Sequence, residues 1–308
     1  MGYALNQGST CAVTAAREWI DRRTGRMAIG FAVAVAVAGV TWLSFAWMGW
    51  TGALSGGRPV TAGLMFGAVL LGVGALINDA CLLGTLSRIG HGELRFLALP
   101  AGLALGFLIS DWLVPPGTRS LLTNPLSTPS VAGGSVVLVF LCVVVFGVRA
   151  MRRGGDEGDV HRWPLWSAMI VLGFTGAILF ALAPGWTYAD FVRRGVSFGS
   201  GVMATSGLAA VSAAVAMVFG ALCAGIVGRT YRQQAPDLTG VTRSVIGGVV
   251  MAVGIVLVPG GNDTVLLAEL PVLTTSGLVG FAVMSATVTG LLWLQRRWSL
   301  RNAEPTAP

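Results

Sequence analysis

Residues 63–77 form an apolar run, GLMFGAVLLGVGALI, that gives way at once to NDACLLGTL at 78–86. A second apolar run, SVIGGVVMAVGIVLVPGG at 244–261, gives way to NDTVLLAEL at 262–270. The two stretches share N-D-x-x-L-L-x-x-L. Asn and Asp are good N-caps, so Asn78 or Asp79 suits a helix starting at Ala80, and Asn262 or Asp263 one starting at Thr264. Carboxylates at membrane depth also mark proton or ion routes, which leaves Asp79 and Asp263 as helix caps or proton-coupling groups. Capping does not account for Cys81. Cys11 has a similar setting, following Gly8, Ser9 and Thr10 in a short polar segment. A helix N-terminus favours anions, thiolates included. Two thiols at two short-helix starts would offer a soft, weakly donating surface to a negatively charged ligand. Cysteine is otherwise a small buried apolar residue, the reading that suits Cys142 in VFLCVVV and Cys223 in FGALCAG.

The elements that hold these residues must be membrane helices. The 308 residues are 54% hydrophobic and 11% charged, against about 25% charged in soluble domains, and the mean hydropathy is +0.77. The net charge of +7 comes from arginine alone, since the chain has no lysine. Those arginines fall between apolar runs, which excludes nucleic acid as the expected partner and points to the lipid bilayer. The absence of lysine also rules out a GxxxxGK[ST] nucleotide loop within this chain. No CxxC occurs, so neither a zinc site nor a dithiol redox motif is indicated, and no metal or cofactor is expected. The first 26 residues lack the basic start and compact apolar core of a cleavable leader.

A span needs about 20 mostly apolar residues. Eight are read near 27–49, 60–77, 94–113, 131–149, 164–184, 206–228, 244–259 and 276–294. The loops on one side then hold sixteen arginines and those on the other only Arg58, Arg119, Arg193 and Arg194. That bias places both termini in the cytoplasm, in a multi-pass protein of a bacterial inner membrane. Segments 2–20, 79–90, 188–205 and 263–273 are too polar or too short to cross, and read as re-entrant half-helices. Glycine is abundant, 44 residues, and Gly63/Gly67 and Gly102/Gly106 have the spacing of close helix contacts. The expected fold is thus all-α, one transmembrane domain of about eight helices with short re-entrant pieces.

The paired N-D stretches suggest two internal repeats, 1–113 and 186–294, joined by spans within 114–185 and followed by a tail at 295–308. Aligning Gly8 with Gly195 sets Cys11 opposite Phe198, while the N-D match sets Cys81 opposite Val265. Repeats with broken helices are the sequence pointer to a transporter's binding site.

At these residues the chain resembles the YeeE/YedE family of sulphur-transport membrane proteins, which includes a thiosulfate transporter. The matching pieces are GYALNQGSTCAVTAARE at 2–18, GALINDACLLGTLSRIGHGE at 74–93 and GGVVMAVGIVLVPGGND at 247–263. The first carries the family's G-x-x-x-x-x-G-x-x-C-x-x-x-A opening, and the others align with its G-x-C-x-x-G-x-x-x-R-x-G-x-G element and its late G-G-x-x-M-G-x-G segment, with Asp79 and Ala252 at one glycine of each. The resemblance implies an inward path for a sulfur-containing anion such as thiosulfate, with cysteine S–H groups contacting its terminal sulfur. Cys81 matches the cysteine of the second element and Cys11 that of the opening. The chain departs from the family at Asp79, where glycine is common, and at Gly261, Asn262 and Asp263, where the late segment usually ends in a cysteine.

The expected substrate-binding residues are therefore Cys81, Cys11, Asn78, Asn262 and Gly261, in a transporter or facilitator that is not an enzyme. Arg193 and Arg194 read as interfacial arginines. The loop RIGHGELR at 88–95 offers His91 as a solvated residue, a proton relay or a docking point for a cytoplasmic sulfur-carrier protein. The alternatives are a membrane thiol enzyme that takes sulfane sulfur onto Cys81 as a persulfide, and a membrane scaffold without transport.

Overall fold

The computed structural model of the protein describes residues 1–50, 54, 56–113, 122–153, 163–183, 185–196, 208–258 and 260–302. Its helices, in chain order, begin with α1 (Gly2–Gln7), α2 (Ala12–Arg22), α3 (Arg26–Trp47), α4 (Ala62–Asn78) and α5 (Leu82–Gly90). A 3-10 turn at Leu94–Ala98 leads into α6 (Leu99–Leu113). Then come α7 (Val131–Arg153), α8 (Leu165–Leu182), α9 (Tyr188–Val196), α10 (Leu208–Val227) and α11 (Leu238–Leu257). The last are α12 (Asn262–Thr264), which runs into a π-helical turn at Val265–Glu269, and α13 (Thr275–Asn302). Among the described residues there is no strand, only one isolated backbone bridge between Glu93 and Gln234.

Counting α4 with α5, eight helices among the described residues are long and apolar enough to cross a membrane, and the protein is a multi-pass membrane protein. They correspond to the eight spans expected from the sequence. The seventh differs most, starting at Leu238 because the Asp237 carboxylate accepts the Gly240 N–H at 2.9 Å and caps a polar first turn. α13 continues well past its apolar part, so much of the expected tail is helical. Portions of two expected segments, 154–162 of the connecting loop and 197–205 with Phe198, lie outside the described residues.

Glycine sets the directions of the helices. A Cβ on Gly74 would lie 2.8 Å from the Gly247 carbonyl oxygen, and one on Gly247 would lie 2.8 Å from that of Gly74. Gly67 and Gly254 meet in the same way, at 3.0 and 2.7 Å. As one index rises by seven the other falls by seven, so α4 and α11 cross antiparallel, backbone against backbone. Gly102 faces Val245 and Gly106 faces Val249, which makes α6 and α11 parallel. Both directions are those required of spans two, three and seven in an eight-span chain. Gly63 differs from the other three expected contact glycines, because a Cβ there would meet only Thr61 of its own helix.

Around this central pair, α13 packs on α4 and α6 on α11, while α3 is flanked by α7 and α8. The outer surface of α7 is strongly apolar and exposed, as at Val139 and Phe146, which is what a lipid-facing helix requires. Cys142 and Cys223 are exposed on α7 and α10. They are not the buried residues expected, because apolar neighbours in this protein face outward as readily as inward.

Gly74→Ala adds only a methyl group, yet it drives that group into the α11 backbone. We expect a loss of about 1–3 kcal/mol, read as a lower thermal midpoint in detergent, against no loss for Gly63→Ala. Equal midpoints for the two variants would sink the close-contact argument.

Candidate functional site

Three of the helix breaks share one local design. The chain turns through a left-handed residue, Ser9 (φ 45°), Asp79 (φ 66°) or Gly260 (φ 127°). It then extends at the N-cap of the next helix: Cys11 (φ −149°, ψ 130°), Cys81 (φ −77°, ψ 176°) and Gly261 (φ −75°, ψ 175°). None of these three N-caps provides a side-chain hydrogen bond to its own helix. The first N–H groups of α2 and α5 are thereby left for other partners, with the positive end of the helix field behind them.

This corrects the capping expected from the Asn-Asp pairs. Asn78 is the last residue of α4 and Asp79 is its left-handed C-cap, a conformation that Asp tolerates better than most residues. Asn262 and Asp263 lie one and two places inside α12, after Gly261. The N-D-x-x-L-L match therefore puts its residues before one short helix and inside the other. The geometric correspondence has another register: Gly67 with Gly247, Gly74 with Gly254 and Cys81 with Gly261 are each 180 residues apart.

Cys11 and Cys81, 70 residues apart, meet at the starts of α2 and α5. The Ala12 N–H donates to the Cys81 Sγ at 3.4 Å. Both residues are buried, at 4% and 2% exposure. Gly84 makes the contact feasible, since a Cβ there would stand 2.5 Å from the Cys11 Sγ. A cavity of about 350 Å³ reaches Cys11 past Ser9, Thr14, Arg88, His91 and Arg232, and Cys81 is not part of its wall. Next to Cys11, the Thr10 hydroxyl is buried without a hydrogen-bond partner.

The Asp79 carboxylate is taken up by arginine. Arg17 of α2 donates to its Oδ1 at 2.5 Å, and Arg95 lies 3.4 Å from its Oδ2. Arg95 continues to Glu93 at 3.8 Å, and Glu93 pairs with Arg88 at 2.7 Å. A chain of alternating charge thus borders the cavity and ties α2 to the α4–α5 corner. The Asn78 amide is also occupied inside the protein: its Nδ2 donates to the Ala80 carbonyl at 2.8 Å and the Thr85 hydroxyl at 3.0 Å. Its Oδ1 is buried without a partner, and an acceptor does not attract an anion. Asn78 therefore fixes the start of α5. His91 is half-buried instead of solvated, with its Nδ1 2.7 Å from the Ser87 carbonyl and 3.3 Å from the Asn6 Nδ2.

The start of α12 faces the start of α5. A Cβ on Gly261 would lie 2.6 Å from the Leu82 Cδ1 and would also crowd the Asp263 carboxylate. Leu82 thus fills the space that a side chain at 261 would need. Asn262 and Asp263 are both buried, and the Asp263 Oδ1 accepts the Thr264 N–H at 2.9 Å. Further along, the buried Glu269 accepts from the hydroxyls of Thr274 (2.5 Å) and Ser276 (3.1 Å). Of the two interfacial arginines, Arg193 lies over the Phe107 ring, 5.8 Å from its centroid.

The residues that sequence reasoning missed are Gly84, Arg17, Arg95 and Glu269. Gly84 had a signal, its fixed place three residues after Cys81. The pairing of Arg17 and Arg95 with Asp79 had none, because it depends on how α2 folds back.

The Leu82–Gly261 contact is testable by a double-mutant cycle on thermal stability. Gly261→Cys and Leu82→Ala should each destabilise, the first by overpacking and the second by a void. Combined, they should recover roughly 0.5–3 kcal/mol relative to their sum. Simple additivity would show that the two positions do not share space.

Over residues 7–290 the chain matches the family model described as Sulphur transport. A search of curated proteins returns no match. The match takes in both thiols, all three N-caps and the α4–α11 crossing, and the chain belongs to the sulphur-transport (YeeE/YedE) family.

Proposed function

We propose that the protein is a transporter or facilitator for thiosulfate or a related sulfur-containing anion, acting inward across a bacterial inner membrane. Its arginine-rich end and both termini face the cytoplasm. The path passes Cys11 and Cys81, between two units of inverted topology that meet at α4 and α11. The observation that carries this reading is the contact of the two thiols at two helix N-termini, open on one side to the cavity.

The chemistry of such an anion is divided. Its terminal sulfur is soft and large, and accepts weak S–H donors. Its oxygens are hard, and take N–H groups from the helix starts and charge from arginine. Cys11 and Cys81 supply the first kind of contact, the starts of α2 and α5 the second, and Arg88 and Arg232 line the cavity beyond. The pairing of Asp79 with Arg17 and Arg95 removes a carboxylate that would otherwise repel a dianion. At the third break, Gly261 is buried beside Leu82 where the family usually has a thiol, so this chain offers two sulfur contacts in place of three. The antiparallel α4–α11 crossing and the 180-residue correspondence support the inverted pairing of the two units, the arrangement in which transporter sites form between broken helices.

The test is uptake of sulfur-labelled thiosulfate into proteoliposomes. Cys81→Ala, folded as judged by its thermal midpoint, should reduce the initial rate at least tenfold, and Cys142→Ala should leave it unchanged. Wild-type rates in the Cys81→Ala protein would overturn the path through the thiols.

A further inference from the structure

Two thiols in contact can do more than donate hydrogen bonds. We propose that Cys11 and Cys81 form a modification site, a dithiol that closes to a disulfide when an anionic disulfide or polythionate enters the cavity at the arginine-rich end. Four observations lead there. The Cys81 Sγ lies 3.4 Å from the nitrogen of Ala12, the residue next to Cys11, and the Cys11 Sγ lies against Gly84 in the first turn that Cys81 caps, so the two sulfurs are neighbours. Both cysteines are N-caps with extended backbone, free of the helical geometry that would fix their side chains. Gly84, having no side chain, lets the Cys11 sulfur come close against the first turn of α5. The cavity is lined by Arg88, Arg232 and His91 together with Glu93, whose carboxylate is taken up by Arg88, so it leaves Arg232 for an anionic reagent; it reaches Cys11 but not Cys81.

That last asymmetry fixes the order of events. Cys11 loses its proton and its sulfur attacks one sulfur of the reagent R–S–S–R. The S–S bond breaks, and its electron pair leaves with R–S⁻. Cys81 then loses its proton and attacks the Cys11 Sγ, expelling the second R–S⁻. In sum two protons are released, the two thiols are oxidised by two electrons, and the reagent is reduced to two thiolates. With tetrathionate as reagent both leaving groups are thiosulfate.

The disulfide removes both S–H donors and takes away the sulfur that accepts the Ala12 N–H. Its effect on uptake rests on the function proposed above, whereas bond formation does not. Oxidation would shut the path while polythionate is present on the arginine-rich side, and a thiol reductant would reopen it.

The experiment uses the full-length protein carrying Cys142→Ala and Cys223→Ala, which removes the two exposed thiols. Reconstituted vesicles are exposed to tetrathionate, unreacted thiols are blocked with N-ethylmaleimide under denaturing conditions, and peptides are analysed by mass spectrometry. The expected result is a linked pair of peptides containing residues 11 and 81, abolished by dithiothreitol. In the same background Cys81→Ala should accumulate a thiosulfate adduct on Cys11, and Cys11→Ser should leave Cys81 blockable by N-ethylmaleimide. Thiosulfate uptake should fall to the Cys81→Ala level and return with dithiothreitol. Maleimide on both residues after oxidant exposure, or separate adducts with no link, overturns the proposal whatever happens to uptake. A link that leaves uptake unchanged supports the dithiol and overturns the transport path instead.

Discussion

A break in an apolar helix leaves N–H and C=O groups without partners, and in a membrane protein there is little water to satisfy them. The arrangement at the centre of this protein follows from where those groups go. At α2 and α5 the N-caps contribute no oxygen of their own, so the freed donors are presented to sulfur, as Ala12 does to Cys81. A serine at either position would turn its hydroxyl back onto its own helix. Cysteine is a poor acceptor for that role, and its thiol remains available to the space between the helices. The same residue choice thus leaves the helix start open and places the reactive atom there.

The close crossing of α4 and α11 makes this geometry durable. Carbonyl oxygens of each helix stand where Cβ atoms on the other would be, which leaves little freedom for sliding or rotation. Each of these helices then leads directly into one break, at Cys81 and at Gly261. Fixing the two helices against one another therefore fixes the two breaks, and Leu82 comes to rest beside Gly261. The charged chain from Arg17 through Asp79, Arg95 and Glu93 to Arg88 acts on the other side. Exposed ion pairs contribute little to stability singly, but this set joins α2, which carries Cys11 at its start, to the corner that carries Cys81.

The exchange of a usual third cysteine for Gly261 fits the same picture. Cys11 and Cys81 stay in contact through Gly84, while the third position has surrendered its side-chain volume to Leu82. The two remaining thiols form a compact pair on one side of the centre, next to the cavity. On the other side, buried oxygen chemistry takes over, with Asp263 and Glu269 held by a backbone N–H and by hydroxyls.

The sequence by itself determined the eight spans, because each is a run of apolar residues long enough to cross a bilayer. It also marked Cys11, Cys81 and the glycines of α4, α6 and α11 as unusual, since their spacing is local. The caps were misread for a local reason too. Asn and Asp are good caps by propensity, but the left-handed turn at Asp79 and the extended residue after it moved each helix start to a cysteine or a glycine. Only the tertiary structure decided that Cys11 meets Cys81, that Arg17 and Arg95 hold Asp79, and that Leu82 occupies the place of a side chain at 261. Each of these joins residues far apart in the chain, and their distances are set by the packing of whole helices. No periodicity or composition in the intervening sequence encodes them.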